Sequence, residues 1–194
     1  MAGVILSLGD LHIGHEVAAK MRGFDSVEEH DLAVMQSIVD WVGPRDVLVL
    51  TGDIVFRGAE VEVKVHGENK TKKVKLSRIE YFDYLWEKLF KKKYGDVPNI
   101  TVKVTPGNHD RIEELLQSKY ITKVQNYLVY KYEGKKVVFS HVPIHPDSLD
   151  RWDVNGHGHL HSKKITNSIY CNTCWEMKRR PLLLSEVAGG MFWN

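Results

Sequence analysis

Val47-Leu48-Val49-Leu50-Thr51-Gly52-Asp53 is an apolar run that stops at a glycine and a carboxylate. An apolar run without alternation fits a strand buried on both faces, as in a parallel sheet covered by helices. The pattern recurs upstream, where Val4 to Leu8 runs into Gly9-Asp10-Leu11-His12. It recurs downstream, where Ile100 to Val104 leads to Gly107-Asn108-His109-Asp110, and Val137-Val138-Phe139 to Ser140-His141.

Helical patterns lie between these runs. Ser26 with Glu29 three residues on reads as a capping box, and Val27, Val34, Met35, Ile38 and Val42 give one apolar face before Gly43-Pro44. A second helix starts at about Ser77, with Ile79, Phe82, Leu85, Trp86 and Leu89 inward; a short one covers Ile112 to Gln117. Val61 to Val65 and Val74 to Leu76 alternate around a turn at Gly67-Glu68-Asn69, which predicts a hairpin with a wet outer face. Two strands pair around Glu133-Gly134, Trp152 to Val154 leads into a histidine cluster, and Asn167 to Trp175 reads as a late strand. Strands alternating with helices argue an α/β class. The expectation is one domain over residues 1–194 with a hairpin insertion at about 59–76.

Composition bounds the function. The 194 residues are 43% hydrophobic and 27% charged, with a formal net charge of +2. That balance gives no global argument for nucleic acid. No stretch approaches the roughly 20 apolar residues that span a bilayer, so no membrane role is expected. The apolar N-terminus lacks a basic start and reads as a strand, not a signal peptide. Cys171 and Cys174 make no disulfide framework, and a cytoplasmic protein is the simplest expectation. As positions three apart on a strand they would face opposite ways, so a structural role is preferred to a zinc or redox pair.

The strand-end loops hold the chemistry. They carry Asp10 and His12, Asp53, Asn108 and His109, His141, and His157, His159 and His161. In open α/β sheets, ligands bind at the carboxyl ends of strands, so these groups can converge. Mixed Asp and His donors suit transition metals such as zinc, manganese or iron.

Taken together, Asp10-Leu11-His12, Gly52-Asp53 to Arg57-Gly58, Gly107-Asn108-His109-Asp110, Ser140-His141 and Gly158-His159-Leu160-His161 resemble the ordered motifs of the calcineurin-like metallophosphoesterase superfamily. The resemblance spans positions 10 to 161. It implies a four-layer α-β-β-α sandwich, two sheets face to face under helices. It also implies two divalent metal ions (manganese, iron, zinc or nickel). Asp10, His12 and His161 would hold the first, and Asn108, His141 and His159 the second, with Asp53 bridging. Solvent acidified between two cations would attack a phosphate ester. His109 would protonate the leaving oxygen or stabilise charge, Asp110 would orient His109, and Arg57 would help organise the site.

Gly156-His157-Gly158-His159 also fits the last motif. Both registers use His159; the later one is preferred, with His157 as the alternative to His161. The expected substrate is a small phosphate ester or nucleotide, monoester or diester. A nuclease, a protein phosphatase or a metal-binding scaffold without turnover are the alternatives. Phe56 stands where protein phosphatases carry an acid, and the short chain leaves little room for a nuclease's accessory domain. The lysines at 70, 72, 73, 75 and 91–93 are interspersed with Glu60, Glu62 and Glu68, and read as a solvated helix end and hairpin. The tail Gly189 to Trp193 is apolar enough to pack on the core or on a partner.

Overall fold

Each of these apolar runs becomes a strand whose carboxyl end delivers the polar residues. The computed structural model describes residues 3–64 and 70–190. In chain order the elements are β1 (Ile5–Leu8), α1 (Glu16–Met21), α2 (Val27–Trp41), β2 (Val47–Leu50), β3 (Glu60–Lys64), β4 (Thr71–Lys75), α3 (Arg78–Tyr94), β5 (Thr101–Val104), α4 (Ile112–Leu115), β6 (Ile121–Val124), β7 (Leu128–Tyr132), β8 (Lys135–Ser140), a 3-10 turn (Pro146–Ser148), β9 (Val154–His157), β10 (Tyr170–Asn172), α5 (Trp175–Lys178), β11 (Leu182–Leu183) and α6 (Leu184–Ala188).

One sheet has the order β11-β1-β2-β5-β6, the other β10-β9-β8-β7, and β3–β4 pair by themselves. β1, β2, β5 and β6 are parallel neighbours, as are β8, β9 and β10. All five metal-motif loops follow strands of these two parallel sets.

β2 shows why its sequence does not alternate. Val47 and Val49 face the second sheet, where they join Val137, Phe139 and Val154. Leu48 and Leu50 point the other way, into a core built with Val34, Met35 and Ile38 of α2 and Phe82, Trp86 and Phe90 of α3. Both faces are dry, so both must be apolar. Trp86, at 1% exposure, would cost about 3–5 kcal/mol if cut to alanine, a large share of the roughly 5–15 kcal/mol that holds a domain. The α/β class and the two sheets under helices are as expected. Cover is unequal: α2 and α3 are long, whereas α6, which touches both sheets, is a single short helix.

Local details sharpen the sequence reading. Ser26 Oγ accepts from Glu29 N at 3.1 Å, but the Glu29 carboxylate reaches Asp25 N, at 3.3 Å, so the capping box is half formed. The late strand is shorter than expected. It ends at Asn172, whose Oδ1 accepts from Cys174 N, and Cys174 is the N-cap of α5. The sequence pattern marks none of α1, β6, α5, β11 and α6. The turn at Gly67-Glu68-Asn69 and Met191 to Trp193 of the tail lie outside the described residues. Among the described residues no helix is long and apolar enough to cross a membrane.

Candidate metal centre

The strand-end loops of both sheets meet in one cluster, with Asp10, His12, Asp53 and His141 buried and Asn108, His159 and His161 at its open side. His12 Nε2 lies 3.6 Å from Asp10 Oδ1 and 3.8 Å from Asp53 Oδ2. His161 Nε2 lies 3.8 Å from Asp10 Oδ1, and His141 Nε2 lies 3.6 Å from Asp53 Oδ2. Asn108 Oδ1 is 3.0 Å from both His141 Nε2 and His159 Nδ1. Asp53 Oδ2 thus stands between the His12 side and the His141 side. Two sets of donor atoms, Asp10/His12/His161 and Asp10/Asp53/His141, fall within the compass of a single ion.

The backbone is bent to achieve this. Asp10 (φ 57°), His12 (φ 52°), Asp53 (φ 53°), His159 (φ 68°) and His161 (φ 51°) all sit in the left-handed region. Each such non-glycine residue costs about 1–3 kcal/mol and persists only where its surroundings fix it. Gly107 lets the strands close up: a Cβ there would overlap the Asp53 carboxylate and backbone.

The hydrogen bonding fits a cation and little else. His141 Nδ1 bonds the Thr51 carbonyl at 2.8 Å, so this nitrogen carries the proton and Nε2 presents a lone pair. That lone pair faces the Asn108 oxygen, also an acceptor. Asp10 Oδ1 and His12 Nε2 are buried without a hydrogen-bond partner among the described residues. Such groups are costly unless something positive lies between them. The other Asp10 oxygen, Oδ2, accepts from His159 N at 2.8 Å and from the Cys174 thiol at 3.1 Å. Burial pushes the Asp10 carboxyl up, but its contacts with His12 and Cys174 outweigh this and hold it below the usual carboxylate range. The donor set therefore fits divalent metal in its residue types and its spacing.

Seven of the expected ligands converge, and His161 rather than His157 completes the Asp10/His12 group. His157 is fully buried at the end of β9, with Nδ1 on the Gly158 carbonyl, and belongs to neither donor set. His109 is exposed above the cluster, its ring 5.9 Å from that of His12. Asp110 does not bond the His109 ring among the described contacts. Its carboxylate instead accepts from the amides of Asp53 (2.8 Å), Ile54 (2.9 Å) and Gly107 (2.8 Å), pinning two ligand loops together. Arg57 points outward, 66% exposed and 3.7 Å from Glu16. Arg78 joins two of the loops, donating to the carbonyls of Val55 and His109.

Other residues escaped the sequence reading. Cys174 donates its thiol hydrogen to Asp10 Oδ2. Arg22 and Glu176 form a buried pair behind His161. Nothing local in the sequence marks them, because they are 154 positions apart. The lysines read as solvated behave so: Lys91 pairs with Glu87 and Lys73 with Glu60 at the surface, while Lys93 donates to the Val39 carbonyl.

The family model described as calcineurin-like phosphoesterase matches residues 3–186. A solved structure of a protein of unknown function, AQ665 from Aquifex aeolicus, shares the fold at TM-score 0.65 and 16% identity, covering 97% of this chain and 100% of that one. Vacuolar protein sorting 29 from Cryptosporidium parvum is similar at TM-score 0.37 and 15% identity, over 85% of this chain and 68% of that one. No curated protein matches the chain. The chain belongs to the calcineurin-like phosphoesterase family.

Proposed function

We propose that the chain hydrolyses small phosphate esters with two divalent cations. Asp10, His12 and His161 would hold one, and Asn108, His141 and His159 the other, with Asp53 shared. The observation that carries this reading is the cluster of facing acceptors, with the Asp10 and His12 atoms left without partners. Two cations in such a cluster neutralise charge on a phosphoryl group and acidify the attacking solvent.

The chain's own residues do the rest. Asp110 and Arg78 fix the Asp53 and His109 loops before substrate arrives, so little reorganisation is needed during reaction. His109, exposed beside His12, can hold a proton for the leaving oxygen at its ring. A pocket of about 350 Å³ opens there, lined by His12, His15, Met21, His109, His161 and Trp175 among others. That is the lower end of the small-molecule range, and it favours a small ester or nucleotide over a nucleic-acid strand.

A panel of phosphomonoesters and phosphodiesters, each assayed with manganese, iron, zinc and nickel, tests the proposal. Turnover with at least one metal, abolished by chelation, is expected. Metal binding without turnover on every ester would leave a scaffold of the same fold and refute hydrolysis.

A further inference from the structure

Half of the donor cluster is braced from behind by an ion pair that belongs to none of the strand-end motifs. Glu176 Oε1 on α5 accepts from His161 Nδ1 at 2.8 Å. The same oxygen accepts from Arg22 Nη2 at 2.6 Å and Nε at 2.9 Å. The Arg22 side chain is 3% exposed and that of Glu176 17%. Arg22 also donates to the carbonyls of Asp10 (2.5 Å) and Leu11 (3.0 Å). Its Nη1 meets His30 Nε2 at 2.7 Å; His30 Nδ1 bonds Asp31, and Asp31 accepts from Gly14 N. One guanidinium therefore holds the Asp10–Leu11 carbonyls, the carboxylate behind His161, and a buried pair in α2 that returns to the same loop.

Among the described residues no ion pair braces the opposite half in this way. His141 gives its Nδ1 proton to the Thr51 carbonyl, a neutral partner on rigid backbone. His159 of that half is exposed and its Nδ1 meets Asn108 Oδ1 and His141 Nε2, whereas His161, 44% exposed, has a carboxylate behind its Nδ1. A carboxylate behind a ligating histidine fixes its tautomer and orientation and raises its basicity.

We propose that Arg22 and Glu176 are positioning residues for one cation site only. They fix the His161 ring and the left-handed Asp10–His12 loop. They thereby set the cation affinity of the Asp10/His12/His161 site and leave the Asn108/His141/His159 site unchanged. This rests on the two-cation reading above.

The test is calorimetric titration of chelator-treated protein with Mn²⁺, alongside thermal unfolding. The chains are wild type, Glu176→Gln, Glu176→Ala and Arg22→Lys. Wild type should take up two cations. In Glu176→Ala one site should weaken about 10–100-fold and the other should stay within error. Glu176→Gln keeps an oxygen for His161 but loses the charge facing Arg22, so it should fall between. Arg22→Lys keeps charge but not the fork that reaches two carbonyls and a carboxylate, and should weaken the same site. If Glu176→Ala fails to fold, Gln and Lys carry the same comparison. Equal weakening of both sites, or a lower melting temperature with both affinities intact, overturns the bracing. A wild-type chain that takes up a single cation overturns the two-cation reading, and the selectivity with it.

Discussion

Between β2 and α3, one stretch of chain serves two regions under opposite rules. Around Asp53 the backbone is left-handed, the side chain is 3% exposed, and Asp110 holds the amides of Asp53 and Ile54. β3 and β4 are extended, β3 alternating and β4 exposed along most of its length, with Glu60 and Lys73 paired in open solvent. The first region tolerates strain and unpaired charge because neighbours fix every atom. The second is held by little and needs little. Cost on substitution should differ accordingly.

The largest effect is expected at the shared carboxylate. Asp53→Asn should lower phosphoesterase turnover about a thousandfold while the circular dichroism stays native; turnover within tenfold of wild type would remove Asp53 from the centre of the site. Next comes the paired test of His161→Ala against His157→Ala. The first should abolish uptake of one cation with little change in melting temperature. The second should keep both cations and cost about 1–3 kcal/mol of stability through its lost buried hydrogen bond. Reversed losses would move the ligand to His157. Gly107→Ala should destabilise by about 1–3 kcal/mol in urea unfolding, since its methyl group collides with Asp53; an unchanged midpoint would mean the loops are looser than drawn. The smallest effect belongs to the hairpin. Lys73→Ala should change stability by less than about 0.5 kcal/mol and leave turnover of small esters alone. A hundredfold loss there would erase the contrast between the two regions.

The sequence told the fold where chemistry and burial are local. Runs ending in Gly-Asp reveal β1 and β2, because strands buried on both faces have no polar side to confuse the pattern; β5 instead alternates, with Thr101 and Lys103 on a half-buried side, and is marked by the Gly107-Asn108 that follows it. α1 was hidden because it is one and a half turns long and exposes Val17 and Met21, so it lacks a sustained apolar stripe. The late strand was drawn too long, because Asn172-Thr173-Cys174 keeps the composition of a strand while its hydrogen bonds already form a turn. In the site, the residues that converge are legible because each lies in a short motif. Asp110 was legible as important, but not as a clasp on Asp53, since its partners are backbone amides that any residue supplies. Arg22 and Glu176 stand in no motif because they meet only in the fold, 154 positions apart, and Cys174 reads as structural because its partner Asp10 is 164 positions away.

The thiol of Cys174, 3.1 Å from Asp10, makes this loop a clock. Burial, with Asp10 beside it, pushes that thiol up, so it stays protonated in the closed protein. An alkylating reagent can react only when the Asp10 loop opens. Labelling rate therefore counts openings of the loop. Cys171 sits in the core between the sheets, its thiol pushed up to about 12 by burial, and should report only deeper unfolding. The two cysteines thus date two events within one molecule. A cation that binds only the closed loop lengthens the first interval by a factor of one plus the ratio of free cation to its Kd, and the interval can be read without any substrate at all.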